Sequence, residues 1–229
     1  MKLVRAVWLV LAAFLLGFPA PAQDQSVRPG INKSFENPDA KEYIGKFEGE
    51  SREIAKHAKE IVAACGIKAD MAVADVGAGT GFFTRPFAAA VGPKGKVYAV
   101  DIAANFLRHI EKSCAESNIK NVQTILCDQF STKLPSNSVD LVFICDVYHH
   151  FEYPQRSLKS VYDALRPGGR LVLIDFERIE GKSSDFIFGH IRAGKEVFVR
   201  EVTEAGFRAV SEEKFLQENY FVRFEKVAK

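Results

Sequence analysis

Three glycines stand at alternate positions, Gly77, Gly79 and Gly81, directly after the apolar run Val73-Ala74-Asp75-Val76. Without a Cβ, such residues let the backbone turn sharply and come closer to a ligand than any side chain would allow. A helix starting behind them offers unpaired N–H groups and a positive dipole end, suited to a carboxylate or phosphate. Twenty residues past Gly81 the next apolar run ends at Asp101, whose carboxylate can accept hydrogen bonds from both hydroxyls of a ribose. Together these residues imply an adenosine-containing cofactor. A dinucleotide fingerprint needs a further glycine at position 82, and that residue is Phe82. Asp75 lies inside an apolar strand, where an unpaired carboxylate is costly. It is expected to accept from the glycine loop, or to reach the cofactor's amino group through water.

A second group, Asp146-Val-Tyr148-His149-His150-Phe151, follows a later apolar run, at the sheet edge where ligands enter α/β folds. A histidine there can act as a base near neutral pH, so His149, His150 and Tyr148 are the catalytic candidates. In the competing reading one histidine caps the next helix and the other packs beside Phe151. Adjacent histidines with no clear third ligand do not make a metal site, so no metal is expected. His190 and Arg192 read as solvated surface, or as a far wall of the same cleft.

The elements that must position these residues alternate along the chain. Positions 39–65 have helical spacing, with Tyr43, Phe47, Ile54, Ala58, Ile61 and Val62 on one face and Gly66 as a C-cap. Strands are expected at 71–76, 96–101, 122–126, 139–145 and 170–176, with helices at 80–91, 103–117 and 154–165. Near-continuous apolar strands between helices define a parallel sheet covered on both faces. The C-terminal end differs: a helix at 196–205 precedes strands at 207–216 and 220–227, whose link is too short for a crossover and forces antiparallel pairing. The expected fold is α/β: a Rossmann-like, seven-stranded, mostly parallel sheet with a C-terminal antiparallel hairpin and helices on both faces.

Residues 1–22 read as an export signal. Lys2 and Arg5 precede an apolar run of 13 residues, Ala6 to Phe18, and Pro19-Ala20-Pro21-Ala22 sets a cut before Gln23. A spanning helix wants about 20 apolar residues; an uncleaved anchor is the alternative. Removing the segment leaves 29 basic and 29 acidic residues, and without a basic surplus nucleic acid is a poor partner. Positions 23–38 are polar and read as a linker. Positions 39–229 form one domain, whose first helix could close over the pocket as a lid with Tyr43 and Phe47 facing inward. Cys65, Cys114, Cys127 and Cys145 form no CxxC pair and read as small buried hydrophobes, the last two within strands.

Asp75-Val-Gly-Ala-Gly-Thr-Gly81 resembles the first motif of the class I S-adenosylmethionine-dependent methyltransferases, in particular the small-molecule branch that includes quinone-biosynthesis enzymes. Asp101 is similar to that family's ribose acid, and Cys127-Asp128-Gln129-Phe130 to the loop whose acid contacts the adenine amino group. Val139-Asp140-Leu-Val-Phe143 resembles its fourth-strand motif, and Leu165-Arg-Pro-Gly-Gly-Arg-Leu171 the turn into its fifth strand. The resemblance covers residues 40–229. It implies S-adenosylmethionine held by Asp75, Gly77, Gly79, Gly81, Asp101 and Asp128, and in-line methyl transfer to a small-molecule or lipid-like acceptor. A general base is required only where the nucleophile arrives protonated. The chain lacks Asn-Pro-Pro-Tyr after the fourth strand, which argues against methylation of base amines. An exported adenosine-binding module without transfer is the rival reading, since it removes the need for a cofactor supply outside the cytoplasm.

Overall fold

β-Branched residues and phenylalanine crowd the runs that become strands, where they pack well on a pleated, buried surface. In the computed structural model, which describes residues 23–49 and 52–228, these runs give seven strands: β1 (Ala72–Val76), β2 (Lys96–Asp101), β3 (Val122–Leu126), β4 (Val139–Cys145), β5 (Leu165–Phe176), β6 (Phe207–Glu213) and β7 (Asn219–Lys226). They form one sheet in the order β3-β2-β1-β4-β5-β7-β6. The pairs from β3 to β5 are parallel, and β7 runs antiparallel to both β5 and β6. The Rossmann-like sheet with its antiparallel hairpin is as expected. The hairpin link is longer, however, because β6 stops at Glu213 and leaves residues 214–218 to make the turn. Cys127 falls just past β3 rather than within it.

Eight helices flank the sheet among the described residues: α1 (Ala40–Glu48), α2 (Glu53–Lys56), α3 (Ala58–Ala64), α4 (Thr84–Val91), α5 (Ala104–Glu116), α6 (Pro154–Ala164), α7 (Asp185–His190) and α8 (Lys195–Glu204). Side chains alternate along each strand, and the core divides accordingly. Ala72, Ala74 and Val76 pack with Leu158 and Val161 of α6 and Phe198 and Val202 of α8. Val73, Leu141 and Phe143 pack with Ile61 of α3 and Phe87 of α4. The same period sends Asp75 to the α4 side.

The single helix expected over 39–65 is three helices. Gly49 takes extended backbone (φ −67°, ψ 137°) and ends α1, and His57 bends the chain between α2 and α3. Gly66 closes α3 with φ +60°. The segment 23–38 is not a free linker: it straps the domain, with Val27 N–H donating to Glu152 O (2.9 Å), Ser26 Oγ to Glu152 (2.8 Å) and Asn32 Nδ2 to His150 O (3.0 Å). Its polar side chains supply the hydrogen bonds that hold it. The export signal assigned to residues 1–22 lies outside the described residues. Among the described residues no helix is long and apolar enough to cross a membrane. The four cysteines are free, and burial pushes the Cys65 and Cys127 thiols up to about 12.

Candidate active site

The chain leaves β1 toward β2 and β3, then returns to lay β4 on the other side of β1. Loops at such a switch diverge and open a crevice at the carboxyl ends of the strands. A cavity of about 830 Å³ lies there, bordered by Gly77, Gly79, Asp101, Asp128, Asp146 and His150. A second, of about 500 Å³, shares Phe47, Gly77, Gly79, Asp146 and Val147 with it and adds Asp75 and Arg52.

The glycine loop brings its backbone close to neighbouring side chains. A Cβ on Gly77 (φ +76°) would sit 2.4 Å from both Val147 methyls, and one on Gly79 (φ +54°) would meet the Phe47 ring at 3.2 Å. Gly77 and Ala78 donate their N–H to Val100 O (2.8 and 3.1 Å), and Gly79 donates to Asp101 Oδ2 (2.8 Å). Gly81 donates to Ala78 O (2.8 Å), so these four amides are engaged within the protein, and helix α4 starts only at Thr84. Gly81 borders neither cavity. Its missing side chain makes room for Ile110 of α5, whose Cγ1 would lie 2.9 Å from a Cβ there.

The acids divide by environment. Asp101 is buried at the end of β2 and accepts from Gly79 N–H and Ala103 N–H (both 2.8 Å). Burial pushes its carboxyl up to about 6, with those amides opposing the rise. Asp128 turns its loop by accepting from Phe130 N–H (2.8 Å) and Ser131 N–H (2.9 Å), and pairs with Lys133 at 3.0 Å. Slight burial raises it, but Lys133 and the two amides outweigh that and hold it below the usual carboxylate range. Asp75 accepts from Thr84 Oγ1 (2.6 Å) rather than from the glycine loop, because strand alternation aims it at α4. Burial pushes it up to about 7.

Sequence reasoning passed over Asp146. It borders both cavities, takes a left-handed backbone (φ +53°) rare outside glycine, and is held by Arg52 and by Asn219 Nδ2 (2.6 Å). Burial pushes its carboxyl up to about 6 against the pull of Arg52. An acid immediately past the fourth strand was the available signal.

The three catalytic candidates part company. A 3-10 turn, Tyr148–His150, follows β4 and sends the side chains in different directions. Tyr148 goes into the core, donating to Glu201 Oε2 (2.8 Å) with its ring against Phe198, so it does not face the cavity. His149 is buried against Asp175, with Nδ1 2.8 Å from one carboxylate oxygen and its N–H donating to the other. Only His150 borders the cavity. Burial pushes its imidazole down to about 2, so it stays neutral near pH 7 and does not supply a proton acceptor matched to that pH. Arg192 clamps Glu201 with two bonds (2.9 and 2.5 Å), away from the cavity. His190, read as surface, lies beside His150 (Nε2 to Nε2 3.4 Å).

One residue of the first helix, Phe47, borders both cavities. Phe47 lies on Gly79, and Glu48 accepts from Thr80 Oγ1 (2.7 Å) and from Arg85 (3.1 Å). Tyr43 does not border the cavity; it backs the wall, meeting Phe35 and Phe47 at a tilt and Phe106 edge-on. Asn32 and Phe35 of the strap complete the wall, a contribution hidden in a segment without periodicity.

Residues 74–173 match the family model described as a methyltransferase domain. Ubiquinone/menaquinone biosynthesis C-methyltransferase UbiE of Ectopseudomonas mendocina is 32% identical over 114 residues, 49% of this chain and 44% of that protein. The Hahella chejuensis protein of the same name is 31% identical over 114 residues, 49% of this chain and 46% of that one. The chain thus spans under half the length of these curated relatives. Among solved structures, a SAM-dependent methyltransferase from Aquifex aeolicus superposes with a TM-score of 0.73 at 24% identity, covering 83% of this chain and all of that one. A possible exported protein from Bordetella parapertussis superposes at 0.60 and 16% identity, over 76% of this chain and 68% of that one. Motif, fold and comparisons agree: residues 74–173 carry a methyltransferase-domain match, and the sheet is that of a SAM-dependent methyltransferase. Such a domain and fold imply S-adenosylmethionine as the cofactor.

Proposed function

We propose that the chain transfers the sulfonium methyl of S-adenosylmethionine to a small-molecule or lipid-like acceptor. The observation that carries this is the charge of the larger cavity: Asp101, Asp128, Asp146 and Glu152 border it, and no Lys or Arg does among the described residues. Such a wall favours a cationic sulfonium and repels the phosphates of a dinucleotide. In this reading Asp101 accepts from the ribose hydroxyls and Asp128 from the adenine amino group. Gly77 and Gly79 leave room for the methionine portion. Phe35, Phe106 and Phe151 give the rest of the cavity an aromatic surface suited to a ring or acyl chain, in keeping with the quinone-biosynthesis enzymes among the relatives.

In the transfer, a carbon or oxygen of the acceptor bonds to the methyl as the methyl–sulfur bond breaks and the neutral thioether leaves. Alignment does most of this work, since the leaving group is already activated by its charge. Where the acceptor arrives protonated, Asp146 is the carboxylate placed to take the proton. Calorimetric titration of S-adenosylmethionine into the protein and its Asp101→Ala variant tests the cofactor. Micromolar binding lost in the variant supports the reading, and no binding by folded protein overturns it. Tight binding without thioether release across quinone, phenol, thiol and lipid acceptors would favour the non-transferring module, which the internal engagement of Tyr148 and His149 also suits.

We also propose export, on the leader pattern at residues 1–22 and the likeness to a structure described as a possible exported protein. Envelope-fraction protein should begin at Gln23 by mass spectrometry. Full-mass protein confined to the cytoplasm would defeat this.

A further inference from the structure

We infer that His149, His150 and His190 form a binding site for one divalent transition-metal ion at the edge of the larger cavity. This goes beyond the methyl-transfer reading and does not depend on it. The sequence expectation of no metal rested on the lack of a third ligand. The fold supplies one: His190, the last residue of α7, lies forty positions along the chain from His150 and comes to rest beside the histidine pair.

Ring nitrogens of the three residues, one from each, lie within 4.8 Å of one another. His150 Nε2 and His190 Nε2 are 3.4 Å apart. Two imidazole nitrogens bound to tetrahedral zinc at about 2.05 Å are themselves ~3.4 Å apart. The spacing of that pair is already the edge of such a tetrahedron, and the three nitrogens together lie within 4.8 Å of one another, so closing on an ion asks for inward movement of the third ring.

The surroundings resemble a metal's outer shell. Asp175, fully buried, accepts both the backbone N–H of His149 (3.1 Å) and its Nδ1 (2.8 Å), which fixes the ring and leaves Nε2 to point elsewhere. A buried carboxylate behind a ligating histidine is the usual way a protein sets ring orientation and ligand basicity. The other rings are braced too. Phe186 stacks on His190 (5.1 Å, 15°) and Phe35 meets His150 edge-on (5.2 Å). Asn32 of the strap holds the His150 carbonyl at 3.0 Å. Three imidazoles suit zinc, cobalt, nickel or copper and are poor ligands for magnesium or calcium. Three protein ligands also leave a fourth position for water or a bound molecule. Because His150 is also a wall of the cavity, an ion held there lies within reach of a donor atom on the cavity's occupant.

The test uses the purified full chain without a histidine tag, stripped with chelator and titrated with cobalt(II). The expected result is one cobalt per chain, with the strong visible absorption of a four- or five-coordinate ion, displaced by zinc. His190→Ala, on a half-exposed helix, should weaken binding at least about 10-fold while its far-UV circular dichroism matches the parent. The double variant His57→Ala/His109→Ala, which removes the two histidines outside the cluster, should bind as the parent does. No stoichiometric cobalt or zinc uptake by the folded parent would overturn the inference. So would uptake that His190→Ala leaves unchanged, or uptake abolished in the His57/His109 variant.

Discussion

Gly77→Ala probes the junction between β1 and the segment after β4 that frames both cavities. Two costs are separable. Alanine at φ +76° occupies the left-handed region, at about 1–2 kcal/mol. Its Cβ would also press to 2.4 Å on both Val147 methyls, and overpacking of this kind costs about 1–3 kcal/mol. The sum, roughly 2–5 kcal/mol, lowers the melting temperature by roughly 4–20 °C at this chain length. Val147→Ala removes the two nearest atoms but leaves the residue-147 Cβ at 2.9 Å and the backbone cost. Gly77→Ala made in that background should therefore lose less than the single variant does, while still losing at least the backbone cost of about 1–2 kcal/mol. Urea unfolding followed by circular dichroism on the four proteins of the cycle measures both quantities. A loss under about 1 kcal/mol for the single variant, or the same loss with and without Val147, would refute the steric account.

Other expectations concern charge and closure. The Asp75 carboxyl is raised by burial from 3.8 to about 7, so its contribution to stability is full below pH 4 and is lost as the pH rises through 7. Asp75→Asn should remove that slope, and urea midpoints falling equally from pH 5 to pH 8 in both proteins would contradict it. Asp101, raised to about 6, must be ionised to serve as a full acceptor for ribose. S-adenosylmethionine affinity should therefore climb between pH 5 and 7 and be weak and flat in Asp101→Asn; a parallel climb in the variant would assign the titration elsewhere. Glu48→Ala releases the clasp to Thr80 and Arg85, a half-exposed pairing worth about 1 kcal/mol or less in stability. Stopped-flow dissociation of the cofactor should quicken several-fold in that variant, and an unchanged rate would remove α1 from the role of lid.

The sheet and its helices were legible because buried parallel strands write themselves as unbroken apolar runs, as at Val139–Cys145, whose bounds agree between sequence and structure. Asp101 could be brought to the cavity's border from its place at a strand end, and Asp128 from the resemblance of its loop to the family's. What failed was whatever depends on side-chain direction within an irregular turn. Tyr148, His149 and His150 are adjacent in sequence, yet one enters the core, one backs onto Asp175 and one meets the cavity. Gly81 matched the motif but serves the packing of α5. Asn32 and Phe35 belonged to a stretch with no period to read, and His190 reached the histidine pair only through tertiary folding.

The strap has a consequence for delivery of the acceptor. Gln23 is already docked, its Oε1 accepting from Gln155 N–H (3.2 Å), and the neighbouring Glu152 is itself a wall of the larger cavity. The apolar leader run ends at Phe18, five positions earlier. Five residues of chain extend at most about 18 Å. If the leader is retained in a membrane, the mouth of the cavity is therefore tethered within one leaflet's thickness of the lipid, where the lipid-like acceptor proposed above would be concentrated. If it is removed, that proposed acceptor would first have to leave the bilayer, and its solubility in water would become part of the specificity.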